Sequence, residues 1–304
     1  MSSGLVLIDK PSGWTSHDVV ARLRKLAGTR RVGHAGTLDP MATGLLLIGV
    51  NSATKLLTFL VGENKTYEAT IRLGASTITD DKESEFTSVA NPDDVKALTL
   101  ARVEEALNAL RGPIEQVPSS VSAIKVDGER AYAKVRSGDE VKLKARPITI
   151  HRFELVGEPR LATEGENTFF DFDAVIDCSS GTYIRALARD LGSALGLGGH
   201  LTALRRTKIG SYEIEQAQDL DGLTAETLSV LPIEKAATQQ FSVRELSDQE
   251  VIDLRHGKRL KVVAESEISP TAAIAADGSL VAMLTKSGNA AKSLVVFAPG
   301  QDGE

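Results

Sequence analysis

Residues 33–50, GHAGTLDPMATGLLLIGV, constrain the fold more than any other stretch, because they set one carboxylate in a glycine-rich turn directly ahead of an apolar run. Gly33 and Gly36 tolerate positive φ and let another backbone or a ligand come close, while Pro40 pushes Asp39 out of the helical region. The side chain of Asp39 is thereby presented on a turn. Residues 45–50 predict a buried strand behind it, so the carboxylate is expected on a loop anchored to rigid scaffold, where reactive groups are usually mounted. Asp-Pro also opens ordinary turns and glycines punctuate ordinary loops, so local chemistry alone leaves a purely structural role open.

A chain of 304 residues with 42% hydrophobic content can bury a full core, and its length predicts one large domain plus a small one. The N-terminus, MSSGLVLIDK, lacks the charged and apolar regions of a secretion signal, and no apolar run reaches the roughly 18 residues of a membrane span. A cytoplasmic protein with no membrane contact is expected. The single cysteine, Cys178, excludes internal disulfides and cysteine-based zinc sites and reads as core packing.

The net charge of -6 argues at first against nucleic acid, since phosphate neutralisation supplies most non-specific affinity. The distribution argues otherwise. Residues 9–39 carry six bases and three acids, residues 125–152 eight and four, and residues 185–208 five and one. Acids collect elsewhere, ten against five bases in residues 63–105 and ten against two in residues 213–253. A basic face on an acidic protein follows, with solvated surface charge as the alternative.

In chain order, residues 5–8 predict a strand and Lys10-Pro11-Ser12-Gly13 a turn. Thr15 or Ser16 then caps a helix with Val19, Val20, Leu23, Leu26 and Ala27 on its apolar stripe and Gly28 as its stop. Its exposed side carries Arg22, Arg24 and Lys25, where a phosphate backbone would pass on its way to the Asp39 loop. Residues 66–73 alternate as a half-buried strand with Tyr67, Ala69, Ile71 and Leu73 on the apolar face, Tyr67 serving either core or pocket. Residues 77–92 read as an acidic loop, and Leu100, Val103, Leu107 and Leu110 as a helix ended by Gly112-Pro113. Phe170, Phe172, Ala174 and Ile176 mark another strand. The helix after it buries Ile184, Leu187, Ala188 and Leu191 and leaves Arg185 and Arg189 on a different face. Residues 213–240 are loosely patterned, and short β-like runs from Phe241 onward predict a small β-rich appendage.

Five histidines lack metal-ligand spacing, GHAGTLDPMATG has no P-loop lysine, and there is no Gly-x-Ser-x-Gly elbow. A presented carboxylate, an arginine, a tyrosine and basic surfaces remain. That set suits covalent or electrostatic catalysis by aspartate on a nucleic acid.

Six motifs then occur in a telling order: Lys10-Pro11 with Gly13, residues 33–46, Lys65-Thr66-Tyr67, Gln116-Val117-Pro118 with Ser122-Ala123-Ile124-Lys125, CSSGTYIR at residues 178–185, and Leu204-Arg205-Arg206. Their wording and order resemble the tRNA pseudouridine synthase B family over residues 5–208. Ile78, Val121 and Ser180 depart from the family pattern, where an acid, a tyrosine and a lysine are frequent.

The resemblance implies an α+β pseudouridine synthase fold with a mixed, mainly antiparallel sheet over residues 1–238, and a small PUA-like RNA-binding domain over residues 239–304. It implies an isomerase that flips uridine-55 out of the T-loop of tRNA and converts it to pseudouridine, without metal or cofactor. Asp39 is then the catalytic aspartate, Arg185 its partner, and Tyr67 the ring on which the uracil stacks. Tyr183 and Leu204 line the pocket, His34 contacts the displaced nucleotide, Asp81 holds substrate, and Lys10 and Lys125 join the substrate contacts. A stand-alone monomer acting on the tRNA T-arm is expected. The rival readings are a non-catalytic RNA-binding protein and a guide-dependent synthase with protein partners.

Overall fold

The computed structural model describes residues 2–119, 125–126, 129–130, 143–262 and 270–298. The chain divides into two compact units, Met1–Glu63 with Lys208–Glu304, and Asn64–Thr207.

In the first unit the strand Gly4–Lys10 pairs antiparallel with Thr43–Val50 over its whole length, from Gly4 opposite Val50 to Lys10 opposite Gly44. Its other edge takes Gln218–Asp219 in parallel and Leu231–Pro232 antiparallel. Val32–Ala35 pairs antiparallel with Thr43–Val50, so the predicted apolar strand has hydrogen-bonded partners on both edges and is buried from Gly44 to Val50. The core places Leu5, Leu7, Leu45 and Leu47 against Leu57, Leu60, Tyr212, Ala236, Met283 and Phe297. Tyr212 donates its hydroxyl to the Ala236 carbonyl at 2.6 Å, and burial pushes its phenol well above the usual range.

The helix Ser16–Ala27 forms as its pattern requires. Thr15 and Asp18 make a reciprocal capping box, Val19, Val20 and Leu23 are buried, and Gly28 closes the helix at φ 64 with its N–H on the Arg24 carbonyl. The same unit holds the C-terminal β-rich part, a sheet in the order Ser242–Glu245, Thr271–Ile274, Leu280–Ser287, Ala290–Val296, Leu260–Lys261, parallel only at its first pair. Two helices there escaped the sequence pattern. Ile233–Gln240 and Asp248–Arg255 are both eight residues long, little more than two turns and shorter than the stretch over which a helical pattern stands out.

In the second unit the strand order is Gly199–Ile209, Lys65–Leu73, Asn167–Cys178, Arg146–Glu164, Gly112–Gln116. Lys65–Leu73 alternates as predicted, with Tyr67, Ala69, Ile71 and Leu73 buried, and Lys65 shares that face. On the opposite face Arg72 forks onto the cross-strand carboxylate of Asp171 through Nε and Nη2, both at 2.9 Å. Two expectations change here, and one strand is new. Gly112 and Pro113 end the preceding helix but open a strand, because Gly112 takes φ 83 and Pro113 lies in register with Thr149. The acidic stretch after Thr77 contains the strand Phe86–Val89, paired with Ala75–Thr77. The strand Arg146–Glu164, unread in the sequence, runs 19 residues with two bulges that break its alternation.

The helix Ile184–Leu195 packs on the start of the strand Gly199–Ile209 through bare backbone. A Cβ on Gly192 would lie 2.1 Å from the Gly199 nitrogen and 2.2 Å from the Gly198 carbonyl carbon. Glycine to alanine inside a free helix gains about 1 kcal/mol. Here overpacking against backbone costs about 1–3 kcal/mol or more. Gly192→Ala is therefore expected to lower the melting temperature, and an unchanged or raised value in calorimetry would show that this contact opens at little cost.

Candidate active site

Asp39 lies in residues 36–42, between the strands Val32–Ala35 and Thr43–Val50. Gly36 turns the chain at φ 78, and the Ala42 N–H closes onto the Asp39 carbonyl at 3.1 Å. Leu38 and Met41 are buried on either side of the half-buried Asp39 and the exposed Pro40, so apolar side chains pin both shoulders of the loop.

The turn before the first helix frames this loop. Gly13 donates its N–H to the Pro40 carbonyl at 2.8 Å, and Ser12 donates its hydroxyl to the Met41 carbonyl at 3.2 Å. The Ser16 hydroxyl accepts the Leu38 N–H at 2.9 Å and donates to the Leu38 carbonyl at 3.3 Å. Lys10 completes the frame. It has no exposed surface, and its ammonium donates to the carbonyls of Pro11 at 2.9 Å, Trp14 at 2.6 Å and Pro40 at 3.3 Å. Expected among the substrate contacts, Lys10 sits inside the support of the loop. His34 is half-buried on the neighbouring strand, edge-on to His17 with ring centroids 5.4 Å apart.

Arg185, Tyr67, Tyr183, Leu204 and Asp81 belong to the second unit. The sequence places Arg185 off the buried stripe of its helix, yet it is only 4% exposed, because residues 184–188 are buried without interruption. Its guanidinium donates to the Thr79 carbonyl at 2.6 Å and lies 3.4 Å from Asp81 Oδ2. Asp81 is itself 2% exposed, its Oδ1 accepting the Thr79 hydroxyl at 2.6 Å and the Glu83 N–H at 3.0 Å. It was expected to hold substrate; in this structure it faces Arg185.

One helical turn later Arg189 repeats the arrangement, reaching Asp80 Oδ2 at 3.2 Å and the Val117 carbonyl at 2.7 Å. Burial raises the Asp80 carboxyl above its ordinary value, and the charges of Arg189 and Arg185 oppose that rise. Asp80 takes the left-handed conformation at φ 57, which lets two consecutive acids meet two arginines four residues apart.

Gln116 sets the entry to this helix. Its amide donates to the Tyr183 carbonyl at 3.1 Å and accepts the Tyr183 N–H at 2.9 Å, standing in for a strand partner at the helix cap. Tyr183 is half-buried, while Tyr67 and Leu204 are 7% and 6% exposed. Arg206 is buried, so with Lys10 and Arg185 three of the bases counted toward a basic face are interior. Lys125 lies in the two-residue strand Lys125–Val126, its side chain outside the described residues, as is the position of Val121. Cys178 is core, its thiol pushed up to about 11 by burial.

Residues 24–184 match the profile of the "TruB family pseudouridylate synthase (N terminal domain)", more than half of the chain. The chain belongs to the TruB family of pseudouridylate synthases. It is an enzyme of that family, an isomerase. Residues 185–237 match the tRNA pseudouridylate synthase B C-terminal domain and residues 241–298 the tRNA pseudouridine synthase II C-terminal domain. Among curated relatives, tRNA pseudouridine synthase B of Arthrobacter sp. (strain FB24) is 56% identical over 309 residues, covering 99% of each chain. The same-named protein of Thermobifida fusca (strain YX) is 51% identical, over 98% of this chain and 99% of its own. A solved Cbf5-Nop10-Gar1 complex shares the fold at a TM-score of 0.68 and 24% identity, over 97% of this chain and 85% of that one. Among the described residues no helix is long and apolar enough to cross a membrane.

The sequence did not single out Gln116 by role, nor the Asp80–Arg189 pair, nor the interior place of Lys10. Replacing Lys10 by Met keeps the stem and removes the donor from three carbonyls, and charge-assisted bonds of this kind contribute about 1.5–3 kcal/mol. Lys10→Met is expected to lose at least about 2 kcal/mol of stability and to speed amide exchange at Gly13 and Ala42. Unchanged exchange at both amides would show that the loop stands without it.

Proposed function

We propose that this TruB-family enzyme converts uridine-55 in the T-loop of tRNA to pseudouridine, with Asp39 as the catalytic aspartate. The observation that carries the reading is the mounting of Asp39. A half-buried carboxylate sits on a loop fixed by Lys10, Ser12, Gly13 and Ser16, in a chain more than half identical to proteins named tRNA pseudouridine synthase B.

The isomerisation breaks the bond from the uracil nitrogen to the sugar, turns the base and rejoins it through carbon. It is redox-neutral. A carboxylate held beside the nucleotide can act on the sugar or on the base, and the target first leaves its stack. In this reading Tyr67 stacks on the flipped uracil, Tyr183 and Leu204 form the pocket wall, and His34 meets the displaced neighbour. Arg185 balances and orients the Asp39 carboxylate, a role favoured by its fork being aimed by Thr79 and Asp81. Lys10 and Asp81 serve by positioning Asp39 and Arg185, and Lys125 contacts the RNA. The C-terminal sheet is proposed as a PUA-like RNA-binding domain over residues 239–304, and the enzyme as a cytoplasmic monomer that needs no protein partner.

Asp39→Asn keeps size and hydrogen bonding and deletes the charge. It is expected to abolish pseudouridine formation in a T-arm stem-loop, read by chemical labelling, while tRNA binding survives or tightens. Near wild-type turnover in that variant would remove Asp39 from the mechanism. A wild-type protein that binds tRNA and never forms pseudouridine would make it a binding protein, and conversion only with an added guide RNA or protein would end the stand-alone reading.

A further inference from the structure

The side of the first helix facing away from its core carries a groove of about 500 Å³, lined by Gly13, Trp14, Asp18, Ala21, Arg22 and Lys25. Arg22 lies over the Trp14 indole, its guanidinium carbon 5.7 Å from the ring centroid. At that distance the pair is a cation–π contact, which holds the guanidinium near the ring while its N–H donors remain available to grip a phosphate. Lys25, three residues on and exposed, lies on the same helix face. Neither base has a carboxylate partner among the described residues. Arg24, the third base of the helix, donates to the Val32 carbonyl at 3.2 Å and is spent on the fold. Asp18, the one acid of the groove, is held at the helix cap, accepting the Thr15 N–H at 2.9 Å and the Thr15 hydroxyl at 2.6 Å.

We infer that this groove is a phosphodiester contact for the RNA strand that carries the modified nucleotide, made by Arg22 and Lys25 and preorganised by Trp14. The inference rests on the tRNA reading above and adds a contact separate from the residues assigned there to the target base. Charge complementarity argues for the RNA phosphodiester: two bases, one of them held against an indole, outnumber the one acid of the groove, which is turned to the helix cap. The floor of the groove is also the turn that frames the Asp39 loop, since Gly13 bonds Pro40 and the Trp14 carbonyl takes the Lys10 ammonium. A strand gripped here is thereby registered against Asp39.

The test uses the full chain with a T-arm stem-loop and whole tRNA as probes, measuring Kd across a salt series together with KM and kcat. The double variant Arg22→Gln/Lys25→Gln is expected to lower the log–log salt slope by about 1.4–1.8, two phosphates' worth. That slope corresponds to roughly 25- to 60-fold weaker binding near 0.1 M salt, carried into KM with kcat unchanged. Arg22→Lys should keep the slope and still bind more weakly, because the charge remains and the planar fork is lost. A double variant with wild-type slope and Kd overturns the inference while the Asp39→Asn result stands untouched, as does a fall in kcat alone. A wild-type protein that binds no tRNA overturns the tRNA reading and this contact with it.

Discussion

The ammonium of Lys10, enclosed by the carbonyls of Pro11, Trp14 and Pro40, is the interaction on which the carboxylate-bearing half of the molecule depends. It joins the end of the first strand, the turn into the first helix and the loop of Asp39 at one point. A buried charge is costly unless its hydrogen bonds are made, so the three segments are held together by the penalty for parting. The loop then needs no secondary structure of its own to be rigid. Ser12, Gly13 and Ser16 distribute the same task over its length, and Asp39 is half-buried because its neighbours Leu38 and Met41 are fully so.

The other unit also encloses a cation, and meets it with an acid as well as a carbonyl. Arg185 is buried and Arg189 half-buried, and each is met by an acid on one turn and by a backbone carbonyl. Thr79 and the Glu83 N–H in turn fix Asp81. Such a network has few alternative arrangements, since any side chain that turns away leaves a buried partner unsatisfied. Rigidity of this kind suits a site that has to be ready before its substrate arrives.

Much of this was legible in the sequence wherever a local rule acts alone. The first helix could be read from Thr15, Asp18, its apolar stripe and Gly28; the strand of Tyr67 could be read from alternation; the Asp39 loop could be read from Gly36 and Pro40. Reading failed where a long-range partner decides. Nothing local tells that Arg185 is buried, because helical periodicity assigns faces by hydrophobicity and the acid that admits it lies more than a hundred residues away. Lys10 reads as a surface base for the same reason, its third acceptor being thirty residues off in sequence. The bulged strand Arg146–Glu164 escaped because each bulge resets the side-chain alternation.

The division of the chain carries a consequence for synthesis. The unit of Asn64–Thr207 is continuous, so a nascent chain emerging from the ribosome holds all of it before Lys208 appears. Gly4–Lys10 and its partner Thr43–Val50 are both synthesised early, yet the far edge of the first strand takes Gln218–Asp219 and Leu231–Pro232, made at the other end of the message. Until then that apolar strand has an open edge, the form most prone to pair with a neighbouring chain. A chain that ends between Lys208 and Leu231 therefore holds every residue of the second unit and lacks a partner of the first strand.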